Sequence, residues 1–167
     1  ARFFEAKDHL TLIRAMMHTS ANIYLLLVGS GETMPACKEE ARTSGLENRI
    51  RFLGRRADVP RIIASSDICV LSTHYEGLPI SVLEYMAAGK PVIVTNVDGI
   101  PELMPDPYWM VAPQNAEELS RKIMELSSDR ILRERIGASN QKRAADYDLN
   151  VMVDKYIRVY QSLIGSK

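Results

Sequence analysis

The chain has 167 residues, 46% hydrophobic and 25% charged, the proportions of an ordinary folded domain with a sizeable core. Lysine plus arginine equals aspartate plus glutamate at 21 each, so charge gives no argument for a nucleic-acid partner or an anionic surface. Cys37 and Cys69 lack metal-ligand spacing, which argues against a zinc module or disulfide scaffold and fits a reducing, cytoplasmic compartment. No apolar run approaches the roughly 20 residues that cross a bilayer, and no signal peptide is visible. The start at Ala1-Arg2-Phe3-Phe4, without an initiator Met, predicts a piece of a longer protein.

In chain order, residues 8–18 place Leu10, Leu12, Ile13, Met16 and Met17 at helical spacing. Ile23 to Val28 reads as a strand and runs into Gly29-Ser30-Gly31. A dinucleotide fingerprint would want a third glycine where Met34 stands, so a tight turn explains the pair as well as a ligand does. A polar, exposed helix over 32–44 follows, then a strand from Ile50 to Leu53, a short helix over 57–65 and a strand from Ile68 to Leu71 that buries Cys69. Residues 79–88 form an apolar, small-residue helix, followed by strands from Val92 to Thr95 and from Tyr108 to Ala112. The strands are continuous apolar runs, the pattern of a parallel sheet buried on both faces. Strands alternating with helices predict right-handed βαβ units in a doubly wound, Rossmann-like α/β sheet with helices on both faces. The rest is a helical C-terminal tail. It has one helix capped by Gln114 or Asn115 with Leu119, Ile123 and Leu126 on one face, and a charged helix over 129–145. A last helix starts at Asp148 or Asn150, with Met152, Tyr156, Tyr160 and Leu163 turned inward. No linker or repeat interrupts 1–167, so a single domain is expected.

Ligands of open α/β sheets bind beyond the carboxyl ends of the strands. The loop there that carries most chemistry is in "THYEGLPISVLEYMAAGKPVIVT", residues 73–95, where seven residues separate Glu76 from Glu84. Pro79 suits the first position of a helix, leaving the Ile80 and Ser81 N–H groups pointing out of the helix start. Such a start attracts phosphate through its free donors and its dipole. Glu76 lies in the loop before it, and Glu84 sits five residues past Pro79, about 7.5 Å further along. The two carboxylates thus flank a phosphate-sized site and suit sugar hydroxyls. The bland alternative is a solvated loop charge and a helix-surface charge; the small and apolar residues around Glu84 argue for burial instead. Arg2 and Lys7 are the cations placed to grip a phosphate, against a reading as solvated terminal charges.

Together these segments resemble the C-terminal half of the retaining glycosyltransferases of family four, which have the GT-B fold. "ARFFEAKDHLTLIRA", "LLLVGSGE", "RIRFLGRRADVPRIIASSDICVLST" and "EGLPISVLEYMAAGKPVIVTNVDGIPEL" occur in the family's order along nearly the whole chain. The E-x7-E stretch with its trailing Ala-x-Gly-x-Pro-Val is specific in that context. The resemblance implies a donor-nucleotide-sugar-binding domain, one half of a two-domain enzyme. Arg2 and Lys7 would hold the donor diphosphate, Glu76 would be the catalytic residue at the donor sugar, and Glu84 would hold the ribose hydroxyls. Gly77, Leu78, Ile80 and Ser81 would bring backbone to sugar and phosphate, and Phe52 with Leu53 would edge the base pocket. No metal and no cofactor is implied beyond the nucleotide sugar. The implied setting is glycan, polysaccharide or glycolipid biosynthesis, with the full-length protein peripheral to the inner face of the membrane. The N-terminal partner domain would bind the acceptor, and one strand preceding Arg2 would complete this domain. Rival readings are a nucleotide-sugar epimerase of similar architecture and a non-catalytic nucleotide-binding or assembly domain. A dinucleotide-dependent oxidoreductase is disfavoured by Met34.

Overall fold

The computed structural model describes residues 1–164. Helix α1 (His9–Met16) leads to strand β1 (Leu25–Val28), then α2 (Met34–Thr43), β2 (Ile50–Gly54), α3 (Val59–Ser65), β3 (Cys69–Leu71) and α4 (Ile80–Ala87). Strands β4 (Val92–Thr95) and β5 (Met110–Val111) follow, and then α5 (Ala116–Ser128), α6 (Arg130–Ala144) and α7 (Leu149–Ile164). All strand pairing is parallel, as continuous apolar runs require once helices cover both faces. Every residue of β4 is buried. Side chains such as Ile93 and Val94 each contribute about 1.5–3 kcal/mol on leaving water.

Helix ends follow local chemistry. Asp8 caps α1 by accepting from the Thr11 N–H, and Asn115 caps α5 by accepting from Glu118. Asp129 caps α6 through Leu132, and the Asp148 carboxylate accepts from the Asn150 N–H at the start of α7. α1 packs against α2 and α5, and α4 packs against α6. Both cysteines are free and buried, and burial pushes their thiols up to about 11 for Cys37 and about 12 for Cys69.

The sheet is in two pieces, β2-β1 and β3-β4-β5. Between β1 and β3 lies a cleft of about 950 Å³. The cleft exposes Leu26, so β1 is less buried than its apolar run predicts. Ala1 sits at the carboxyl end of β1, its ammonium donating to the Val28 carbonyl at 2.7 Å. The Phe3 N–H donates to the Ser30 carbonyl at 3.0 Å. Gly29 has φ +136°, and a Cβ there would lie 1.8 Å from the Ala1 carbonyl oxygen. Close backbone approach thus accounts for this glycine of the Gly-Ser-Gly turn.

Four further expectations change. The strand expected over Tyr108 to Ala112 shrinks to Met110–Val111, because Asp106 accepts from the Tyr108 N–H and, with Pro107, winds Pro107–Trp109 into a 3₁₀ turn. Pro79 is the cap of α4 rather than its first residue, with ψ 96°. Glu84 is exposed rather than buried: Val82 and Met86, one turn apart, face the core, and Glu84 lies between them on the opposite side of the helix. Met152, Tyr156, Tyr160 and Leu163 are exposed along α7, not inward, because no element of the described chain covers that face.

Candidate functional site

Two backbone segments at the carboxyl end of β3 are stitched together. The Ser72 hydroxyl donates to the Asp8 carbonyl at 2.6 Å, and the Thr73 hydroxyl donates to the Ala6 carbonyl at 2.8 Å. The His74 N–H donates to the same Ala6 carbonyl at 2.8 Å. Thr95, at the end of β4, accepts from the Thr73 N–H at 2.7 Å. These bonds fix the turn over residues 6–8 against residues 72–74, at the start of the loop that carries Glu76. As a result Lys7 Nζ and Glu76 Oε1, 69 positions apart, form an ion pair with side chains only 17% and 9% exposed. Removing one partner would strand the other in a half-buried site.

Neighbours hold both members in place. His9 is buried and stacked on Phe3, ring centroids 4.0 Å apart, and its Nδ1 lies 2.7 Å from the Lys7 carbonyl. A carbonyl only accepts, so Nδ1 carries the proton. Burial drives His9 down to about 4, so the ring is neutral at physiological pH and Nε2 is an acceptor. On the Glu76 side, Gly99 has φ +80°, and a Cβ there would lie 1.8 Å from the Gly77 carbonyl oxygen. Only glycine lets that turn support the Glu76 loop.

The start of α4 carries no side-chain cap. Val82 and Leu83 donate to the Pro79 carbonyl, which leaves the Ile80 and Ser81 N–H groups for an external acceptor. Ser81 and Glu84 line the cleft between β1 and β3, together with Arg2, His9 and Ser30. Arg2 is exposed and has no ion-pair partner among the described residues. Lys7 and Glu84 both act on the Ala1 ammonium. The pKa of the Ala1 ammonium is lowered by burial and by Lys7, and Glu84 opposes that shift. The arrangement offers a guanidinium, an ammonium and an uncapped helix start for an anion, with two carboxylates for hydroxyl groups.

Arg2, Ser81 and Glu84 line the cleft, whereas Lys7 and Glu76 are not among its lining residues and meet on the loops at the carboxyl end of β3. Gly77, Leu78 and Ile80 are exposed beside them. Phe52 and Leu53 are not among the residues lining the cleft; Phe52 tilts against Phe3, centroids 6.2 Å apart. Arg55 and Arg56, just beyond β2, line the cleft instead. Sequence reasoning missed His9, whose place in an apolar helix pattern reads as core, and Ser72, one hydroxyl among several. Among the described residues no group of His, Cys, Asp or Glu is arranged to hold a metal. No helix among them is long and apolar enough to cross a membrane.

Comparison with known proteins bears on the fold and the family. The chain is 33% identical over 153 residues to a Campylobacter jejuni N,N'-diacetylbacillosaminyl-diphospho-undecaprenol alpha-1,3-N-acetylgalactosaminyltransferase, covering 89% of the chain and 39% of that protein. It is 30% identical over 164 residues to a lipopolysaccharide core biosynthesis glycosyltransferase of Rhizobium meliloti, covering 96% of the chain and 48% of that protein. The chain therefore spans less than half the length of these relatives. The crystal structure of Anabaena HepE in complex with UDP and glucose superposes with a TM-score of 0.89 at 25% identity, over 97% of this chain and 46% of that one. The catalytic domain of the Helicobacter pylori cholesterol-alpha-glucosyltransferase superposes with a TM-score of 0.81 at 25% identity, over 89% of this chain and 95% of that one. The family model described as glycosyl transferases group 1 matches residues 1–143, so the parallel α/β architecture is that of a GT-B glycosyltransferase and the chain belongs to the group 1 glycosyltransferase family.

Proposed function

We propose that this chain is the donor-binding half of a two-domain retaining glycosyltransferase, which moves a sugar from a nucleotide diphosphate to an acceptor. The observation that carries the reading is that Arg2, Ser81 at the uncapped start of α4 and Glu84 line one cleft, with the Lys7–Glu76 ion pair held on the loops at the carboxyl end of β3. Glu84 accepts from the ribose hydroxyls. Arg2 and the Ile80 and Ser81 N–H groups receive the diphosphate. Lys7 exchanges its carboxylate partner for a phosphate oxygen, which frees Glu76 to meet the donor sugar. Negative charge then builds on the diphosphate as the glycosidic bond breaks. Arg2, Lys7 and the helix start stabilise it from fixed positions, so the chemistry needs no metal. Uridine diphosphate sugars are the first donors to try, because the structurally similar HepE is seen with UDP and glucose. A lipid-linked saccharide is the acceptor class that the Campylobacter relative's name suggests, which would put the full-length enzyme at the inner face of the membrane.

The test is to incubate the full-length protein with a panel of nucleotide sugars, with and without a lipid-linked saccharide. Transfer with retained anomeric configuration, dependent on acceptor, is expected. Conversion of the donor alone would identify an epimerase instead. Residues 1–167 alone are expected to give no transfer, because one wall of the active cleft belongs to the other domain.

A further inference from the structure

Asp8 is a buried acid with an incomplete set of partners. It is 8% exposed. One oxygen, Oδ1, caps α1 by accepting from the Thr11 N–H at 3.1 Å. The other, Oδ2, is buried with no hydrogen-bond partner. A carboxylate oxygen left dry costs free energy unless a donor reaches it. The charged and titratable groups around Asp8 are otherwise engaged. Lys7 is paired with Glu76, and His9 Nδ1 serves the Lys7 carbonyl. Arg14 is tied to Glu40 of α2, and Cys37 of α2 is a protonated thiol. The group left is His74, whose Nε2 lies 4.0 Å from Asp8 Oδ2 on a side chain 31% exposed. A small rotation of a part-exposed ring closes that gap. Nε2 is a donor both in the imidazolium and in one neutral tautomer.

The position of this pair gives it a consequence. Asp8 follows Lys7 directly, and His74 precedes Glu76 by two residues. The three bonds onto the Ala6 and Asp8 carbonyls tie the Lys7 turn to residues 72–74, and the Thr73 hydroxyl donates to the Tyr75 carbonyl one residue further on. The Gly99 turn packs on the Glu76–Gly77 backbone, and the Glu76 side chain reaches back to the Lys7 turn through its ion pair with Lys7. A bound donor competes for that pair, since its phosphates attract Lys7 and its sugar hydroxyls attract Glu76. The side-chain tie between Lys7 and Glu76 is therefore weakest when the donor is present.

We propose that His74 is a positioning residue acting through Asp8: its Nε2–H donates to Asp8 Oδ2 and holds the Glu76 loop against the Lys7 turn when the donor draws Lys7 and Glu76 apart. The inference rests on the donor-binding reading above, and it predicts a contact that can be seen without catalysis.

The test has two arms. In this chain labelled with nitrogen-15, long-range imidazole spectra should show a His74 Nε2–H protected from exchange. Asp8→Asn should abolish that protection. Asparagine still caps α1 through its oxygen, but it turns an N–H toward His74 where an acceptor stood. In the full-length enzyme, Asp8→Asn and His74→Ala should each lower kcat about tenfold, with KM and nucleoside diphosphate affinity within about twofold of wild type. The double variant should be no worse than either single one, as partners in one contact require. His74→Gln, which keeps a donor at similar reach, should recover most of the loss. An unprotected His74 N–H, additive losses in the double variant, or a parallel fall in diphosphate affinity would each overturn the proposal. Protection in the chain together with a full-length protein that transfers from no nucleotide sugar would leave the contact standing and sink the functional reading. An unprotected His74 in an enzyme that transfers would do the reverse.

Discussion

The loop that carries Glu76 and the helix that carries Glu84 are adjacent in sequence and opposite in design. Glu76 is 9% exposed, paired with Lys7, and held on a loop stitched to a distant turn. Glu84 is exposed, lines the cleft, and has no ion-pair partner among the described residues. Its position comes from the rigidity of α4 alone. On the proposed reading, Glu84 waits for a ligand's hydroxyls, which needs an open face, and a helix provides it with little cost in ordering. On the same reading, Glu76 acts on the reacting sugar, and its ion pair with Lys7 holds its charge until the substrate arrives.

Substituting each glutamate is the strongest way to break this comparison. Glu76→Ala in the full-length enzyme should cut kcat with nucleotide sugar by about 10²–10³-fold, about 3–4 kcal/mol, the range for losing one preorganised electrostatic contact. Nucleoside diphosphate affinity should stay nearly intact, because the diphosphate has no sugar for Glu76 to meet. Equal losses in both measurements would place both carboxylates at the nucleotide and dissolve the contrast.

Acid should act on the Lys7 side of the pair. His9 has a folded pKa of about 4 against about 6.5 when unfolded, so the unfolded state binds the proton more readily. The stability from keeping His9 neutral is fully present above pH 6.5 and is lost as pH falls toward 4, on the order of 3 kcal/mol at full extent. Urea unfolding of this chain at pH 7 and pH 4.5 should show a larger drop for wild type than for His9→Gln, whose amide does not titrate. Equal drops would remove His9 from the balance.

Gly99→Ala sharpens the comparison by disturbing one region only. The added Cβ meets the Gly77 carbonyl and a positive φ, and should lower unfolding free energy by about 2–3 kcal/mol. Turnover should fall with the displaced Glu76 loop, while nucleotide affinity through Glu84 stays within about threefold. The smallest expected effect is that of Glu84→Gln, which replaces one acceptor oxygen by a donor. Calorimetry on the full-length protein should show nucleoside diphosphate affinity lower by about 2 kcal/mol, within the range for hydrogen bonds to a charged group. An unchanged affinity would take Glu84 out of the site.

Much was legible without coordinates because it depends on neighbours in sequence. Continuous apolar runs at Val92 to Thr95 and Ile68 to Leu71 dictate strands buried on both faces, and both form within a residue of expectation. Asn115 and Asp148 act at the helix starts as their short acceptor side chains dictate. Arg2, Lys7, Glu76 and Glu84 could be singled out by residue type and by family resemblance. Their spacing did not reveal that Lys7 and Glu76 would touch. That contact spans 69 positions and exists because Ser72, Thr73 and His74 bond the backbone at Ala6 and Asp8. The same limit explains α7. An amphipathic stripe of Met152, Tyr156, Tyr160 and Leu163 states that one face prefers to leave water, and says nothing about which surface receives it. Period and capping are set by a residue's own neighbours. Which side chains meet, and which faces stay open, is decided only when distant backbone segments compete for the same partners in three dimensions.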